Sequence, residues 1–263
     1  MSLYIKNIII ASGIAILSTF IISWEKISTR SGADISSQSL LINKAEINRY
    51  ATQLNLQIPS SKKMQSMMYT IGDYSFQITQ YTHNGIPFLY IENGHSTTKG
   101  ETEKRYYLHH KKMIYFVENS IASYSNASFQ LTRTYFKNNL PFITEQKSGS
   151  TLRALHQNTF IKVESNTIHH ATDLARFEDA LYRRNKFDLA FEGITACPNA
   201  KYLIFANDEI NGYRAPVKIE GEDEFIRELT SNPLRYQGEK LDIDWRANAD
   251  NELIYSKGKL SKN

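Results

Sequence analysis

The sequence predicts a mainly β protein of the α+β class. The expected parts are an N-terminal membrane helix, an antiparallel β-meander of repeated hairpins, a connecting helix and a small C-terminal OB-like β-barrel. Three observations predict it. First, Ile86-Pro87-Phe88-Leu89-Tyr90, Met113-Ile114-Tyr115-Phe116-Val117 and Leu140-Pro141-Phe142-Ile143-Thr144 begin 27 residues apart, twice, each after an aromatic-rich run. Second, the run from Tyr74 to Thr79 alternates apolar and polar residues, which places Tyr74, Phe76 and Ile78 on one face of a strand. Third, the last 77 residues hold five strand candidates with one short helix between the third and fourth, the element order of a small OB-like barrel.

Composition sets the outer limits. With 41% hydrophobic and 22% charged residues, a chain of 263 residues can bury a core, so wholesale disorder is excluded. The single cysteine, Cys197, excludes an intramolecular disulfide framework and any multi-cysteine metal site. Residues 1–186 hold 21 Lys and Arg against 13 Asp and Glu, whereas residues 187–263 hold 10 against 14. That spread lacks the concentrated basic stripe of a nucleic-acid footprint, so no nucleic-acid partner is expected.

Taken in order, residues 1–26 read as a membrane anchor or signal. Ile8 to Ile22 is uncharged, Lys6 precedes it, and Trp24 suits the headgroup level of a bilayer. Small residues at a cleavage site are missing from Ser23-Trp24-Glu25, which favours an uncleaved anchor over a cleaved signal. The body is therefore expected outside the cytoplasm and tethered to the inner membrane, with secretion after cleavage as the alternative. Residues 27–60 form a Ser-rich tether and a short helix from Asn43 to Asn55. There Asn43 and Glu46 make a capping box and Ile47, Tyr50, Ala51 and Leu54 share a face.

Residues 61–166 are the meander. Asn84-Gly85 is a strong two-residue turn signal, Asn138-Asn139 a weaker one, and His109-His110-Lys111-Lys112 suggests a longer loop. The polar stretches Asn93–Glu103 and Asn119–Ser128 are read as loops, and Thr159 to Glu164 as a further strand. Residues 167–186 are the connecting helix, running from Thr172-Asp173 to Arg184 with Leu174, Phe177, Ala180 and Leu181 on its apolar face. Residues 187–263 are the barrel, with strands at Phe187–Gly193, Lys201–Ala206, Pro216–Glu220, Lys240–Arg246 and Glu252–Leu260 and a helix from Glu222 to Thr230.

Catalytic signatures such as G-x-S-x-G, H-E-x-x-H, the P-loop and G-x-G-x-x-G are absent from the sequence. The adjacent pairs His109-His110 and His169-His170 cannot readily chelate one ion from a strand, so no metal and no cofactor are expected. Glu118 and Glu145 stand 27 residues apart, after corresponding strands. They read either as strand-ending charges or as a carboxylate row lining a groove. One catalytic constellation remains. His95-Ser96-Thr97 and His170-Ala171-Thr172 both spell H-x-T. Such a pair resembles the two-histidine phosphoesterases, and the resemblance covers six residues. It implies one imidazole as base, the other as acid, and Thr97 and Thr172 as phosphate-holding hydroxyls. Gly94 and Thr98 flank the first motif, where that family has apolar neighbours.

The functional expectation is a non-enzymatic, membrane-anchored module that recognises a protein partner in the cell envelope, for example as an inhibitor or immunity protein. The alternatives are an envelope phosphoesterase built on His95, Thr97, His170 and Thr172, or a structural envelope or secretion component. A binding module should expose an apolar or aromatic patch on a sheet face or rim.

Overall fold

A computed structural model describes residues 43–122, 128–164, 170–209, 211–248 and 252–260; for residues 170–172 the description stops at the backbone. The expected membrane segment lies outside the described residues. Among the described residues, no helix is long and apolar enough to cross a membrane.

The described residues open with helix α1 (Lys44–Gln57). Its start is a complete capping box: the Asn43 side chain accepts from the Glu46 N–H, and the Glu46 carboxylate accepts from the Asn43 N–H. Ile47, Ala51 and Leu54 are its buried stripe, as the helical spacing predicts. A 3-10 turn containing Pro59 ends it and leads into β1 (Lys62–Gln65) and β2 (Tyr69–Ile71).

Three hairpins follow: β3 (Tyr74–His83) with β4 (Ile86–Ser96), β5 (Gly100–His109) with β6 (Lys112–Ile121), and β7 (Phe129–Lys137) with β8 (Leu140–Gly149). All six strands pair antiparallel in sequence order. Each hairpin turns through two residues with positive φ: Asn84 (48°) and Gly85 (75°), His110 (49°) and Lys111 (62°), Asn138 (53°) and Asn139 (62°). That geometry matches the right-handed strand twist. The loop expected to be longer at His109–Lys112 is therefore as tight as the others. The registers also share a one-residue bulge in the second strand, at Phe88, Ile114 and Phe142. The repeat seen in the sequence is thus a tight turn followed by an apolar bulge.

Two polar stretches read as loops are strand in part, with a turn kept at residues 97–99. Asn93–Ser96 pairs with Gly100–Glu103, and Asn119–Ile121 pairs with Phe129–Leu131. Pairing runs through the backbone, so polar side chains are carried wherever the faces beside them are half-buried.

The chain then runs through α2 (Leu152–Gln157) and β9 (Ile161–Val163) to helix α3 (His170–Tyr182), the connecting helix. The C-terminal elements are β10 (Ala190–Cys197), β11 (Ala200–Ala206), β12 (Arg214–Ile219), α4 (Glu224–Ser231), α5 (Pro233–Tyr236), β13 (Leu241–Ala247) and β14 (Leu253–Leu260). The expected first strand, Phe187–Gly193, starts late: residues 185–187 form a 3-10 turn, which Asn185 enters with φ of 55°.

The OB-like barrel is not found. The described strands form one open sheet of 14, ordered β10-β11-β12-β2-β3-β4-β5-β6-β7-β8-β9, with β1 also paired to β3 and with β13 and β14 reaching it through a single parallel bridge, Lys218 to Ile254. β12 meets β2 at Arg214 and Thr70, so the C-terminal strands extend the meander sheet rather than closing on themselves. Element order alone does not reveal a pairing between strands more than 140 residues apart.

Alternation gives the meander two faces. On one, α1 covers Leu89, Ile91, Tyr107, Tyr115, Val117 and Tyr135. On the other, Phe177, Ala180 and Leu181 of α3 pack over Phe76, Tyr90, Tyr106 and Phe116 in a core that continues into β10–β14.

Candidate functional site

In an antiparallel meander every second turn falls at the same end of the sheet. The tips Asn84-Gly85, His110-Lys111 and Asn138-Asn139 therefore line one rim. β1 brings Lys62 and Lys63 to the same rim, opposite Thr82 and Tyr81. Lys62, Lys63, Lys111, Lys112 and Lys137 are exposed, and none has an ion-pair partner among the described residues. Apolar side chains stand between them: Ile86 is 54% exposed, Leu140 70% and the bulge residue Phe142 39%. His83 and His110 are exposed here too, and the His109 ring meets Tyr50 of α1 edge-on at 5.2 Å. Partial burial, with the charge of His110 beside it, lowers the His109 pKa.

Behind this rim lies a cleft of about 510 Å³ between α3 and strands β1, β3, β4 and β5. Its lining is mixed: Met64, Tyr90, Leu108 and Leu174 stand beside Gln80, Thr82 and the charged Lys62, Lys111 and Glu178. The Tyr90 hydroxyl accepts from the Gln80 amide at 2.7 Å.

A charged network fixes α3, and so the cleft wall. Register aligns Glu92, Lys104, Glu118, Thr132 and Gln146 across β4 to β8, on the α3 side. Glu92 is fully buried; it accepts from Lys104 Nζ at 3.1 Å, from the Tyr74 hydroxyl at 2.6 Å and from the Arg176 guanidinium of α3. Burial alone would raise the Glu92 carboxyl, but Lys104 and Arg176 outweigh it and hold the group below its ordinary range. Glu118 moves the other way: burial raises it, and Glu92 and Asp173 add to the rise against Lys104. The Tyr106 hydroxyl donates to Asp173 at 3.2 Å, a second tie between sheet and helix.

The carboxylate row suggested by Glu118 and Glu145 is split between faces. Glu145 lies on the α1 side, where it accepts from Lys44 Nζ at 2.5 Å. The row that does form pairs Glu118 with Glu92 across Lys104. The intervening bulges shift the register, so the 27-residue spacing does not reveal it.

The H-x-T residues fall in different settings. His95 is on β4 and Thr97 is exposed in the turn after it. Alternation puts His95 on the sheet face opposite Glu92, the residue that Arg176 of α3 reaches. His95 Nδ1 is buried without a hydrogen-bond partner. His170 and Thr172 belong to the first turn of α3, and their side chains lie outside the description. Cys197 is a free, half-buried thiol at the end of β10. Among the described residues, no three His, Cys, Asp or Glu are grouped to hold a metal ion.

The rim was legible in part. Its turn residues carry strong local signals, but their alignment is a property of the meander and not of any one turn. Comparison of the chain with protein-family models, curated proteins and solved structures returned no match.

Proposed function

We propose that the protein is a non-enzymatic recognition module whose binding surface is the hairpin-tip rim. The observation that carries this reading is the set of five lysines without an ion-pair partner among the described residues, set beside exposed Ile86, Leu140 and Phe142. Apolar anchors within a charged, well-supported rim suit a protein partner that offers an acidic surface with an apolar pocket. Rigid strands hold the tips, so the contacts are preorganised. The apolar segment from Ile8 to Ile22 would anchor the module in the inner membrane, with the body and its partner in the envelope outside the cytoplasm. An inhibitor or immunity protein would use such a rim to occlude its target.

The test is affinity capture from solubilised envelope with the full chain as bait. Parallel baits carry Leu140→Asp with Lys112→Glu, and His95→Ala with His170→Ala. A stoichiometric protein retained by wild type and by the histidine variant, and lost from the rim variant, is the expected result. Equal capture by the rim variant would overturn the assignment. Phosphodiesterase turnover that vanishes in the histidine variant would replace it with the enzymatic alternative.

A further inference from the structure

We infer that the protein pairs with a second copy of itself through the open edge of β10. The strand order of the sheet runs from β10 at one edge to β9 at the other. An edge strand presents unpaired backbone N–H and C=O groups, and proteins guard such edges with short strands, charges or proline. β9 is guarded: it has 3 residues and carries exposed Lys162 at its centre. β10 is guarded only at its start. There Phe191 donates to the Glu239 carbonyl at 2.9 Å and accepts from the Gly238 N–H at 2.8 Å. From Gly193 onward the described residues give β10 no backbone partner except β11. The free stretch, Gly193-Ile194-Thr195-Ala196-Cys197, holds no charge and no proline.

The pattern of free groups selects the occupant. Cys197 and Ala200 are paired across the two-residue turn at Pro198-Asn199, so they bond each other. Alternation then turns the backbone groups of Thr195 toward β11 and leaves those of Ile194 and Ala196 facing outward. These two lie symmetrically about Thr195. An antiparallel copy related by a two-fold axis at Thr195 therefore sets Ile194 against the partner's Ala196, and Ala196 against the partner's Ile194. Each pair exchanges both of its backbone bonds, and Thr195 stands opposite the partner's Thr195. Side chains allow this approach. Ile194 is half-buried against the core and gains cover, and exposed Ala196 is too small to block it. The charges beside the stretch on the same hairpin, Glu192 and Lys201, are already paired with Arg214 and Glu222, so neither is left to repel its own copy.

Thr195 supplies the reporter. Residues directly opposed in a non-bonded antiparallel pair have Cα atoms about 4.5 Å apart, within disulfide reach. Cys197 would instead face the partner's Gly193, out of reach of the partner's Cys197. The full chain in mild detergent, carrying Cys197→Ser with Thr195→Cys, is oxidised gently and followed on non-reducing gels. Disulfide-linked dimer should form at least about tenfold faster than from Cys197→Ser with Lys257→Cys, because paired strands raise the effective concentration of the two thiols. The wild-type chain, with Cys197 alone, should form none. Adding Ala196→Pro removes an outward N–H at an edge position that tolerates proline, and should abolish the advantage of the Thr195 position. Ala196→Lys, which guards this edge as Lys162 guards β9, should do the same. Equal rates from the Thr195 and Lys257 positions would overturn the inference. So would a dimer through wild-type Cys197, or a Thr195 dimer that survives both changes at Ala196.

Discussion

Glu92 carries the most exacting test of how the sheet holds α3. Replacing it with glutamine preserves shape and can keep a hydrogen bond to Tyr74, while removing the charge that Lys104 and Arg176 share. Removing one partner of a fully buried ion pair costs about 3–5 kcal/mol, because the other charge is stranded. Here Glu92 is 1% exposed but Lys104 and Arg176 are 26% and 28% exposed, so water can solvate the stranded cations in part. The expected loss is therefore about 2–3 kcal/mol. In a chain of this size that lowers the melting temperature by about 4–12 °C, at 2–4 °C per kcal/mol. The assay is urea and thermal unfolding of the full chain in mild detergent, repeated in an Arg176→Gln background. The two changes should be strongly coupled, by at least about 1 kcal/mol. The sign with pH also follows. Glu92 has a depressed folded pKa, so its contribution is complete above the unfolded value and disappears as pH falls through the folded one. The penalty of Glu92→Gln should shrink in acid accordingly. A loss under about 0.5 kcal/mol at neutral pH, or strict additivity with Arg176→Gln, would refute the network.

Other expectations are simpler. Glu118 has a raised folded pKa, so its ionisation costs stability as pH rises from the ordinary carboxylate range through the raised value; Glu118→Gln should stabilise the protein at pH 7 and leave it unchanged near pH 4 in urea unfolding. At Gly94 an added Cβ would lie 2.2 Å from the Tyr74 hydroxyl oxygen, so Gly94→Ala should cost about 1–3 kcal/mol and disturb the bond from Tyr74 to Glu92. Lys111 sits at φ of 62°, and Lys111→Gly should raise the unfolding free energy by about 0.5 kcal/mol, relief of backbone strain exceeding the added entropy of the unfolded chain.

Local features of the fold could be read from the sequence because their causes are local. The capping box at Asn43 and Glu46, the Asn84-Gly85 turn and the apolar face of α3 each depend on residues a few positions apart. Features that depend on distant partners could not. Asn93–Ser96 looks like a loop until its pairing with Gly100–Glu103 supplies the backbone hydrogen bonds. Element order in the last 77 residues suggested a closed barrel, whereas the bridge between Arg214 and Thr70 opens it onto the meander. The charged row at Glu92 stayed hidden for a related reason: the bulges at Phe88, Ile114 and Phe142 decide which face each later residue takes. His110 and Lys111 are poor formers of a positive-φ turn, yet the pairing of β5 with β6 holds them there. The rim is likewise visible only once three separate turns are placed side by side.

The recognition role of that rim is best tested by site-specific photo-crosslinking in cells. A photoreactive residue is placed at Ile86, at Leu140 and, as a remote control, at Lys257, which is 77% exposed. One discrete protein adduct is expected from both rim positions and none from Lys257, with the adduct lost when Lys111, Lys112 and Lys137 are changed to glutamate. Adducts of equal strength from all three positions, or no adduct from the rim, would contradict it.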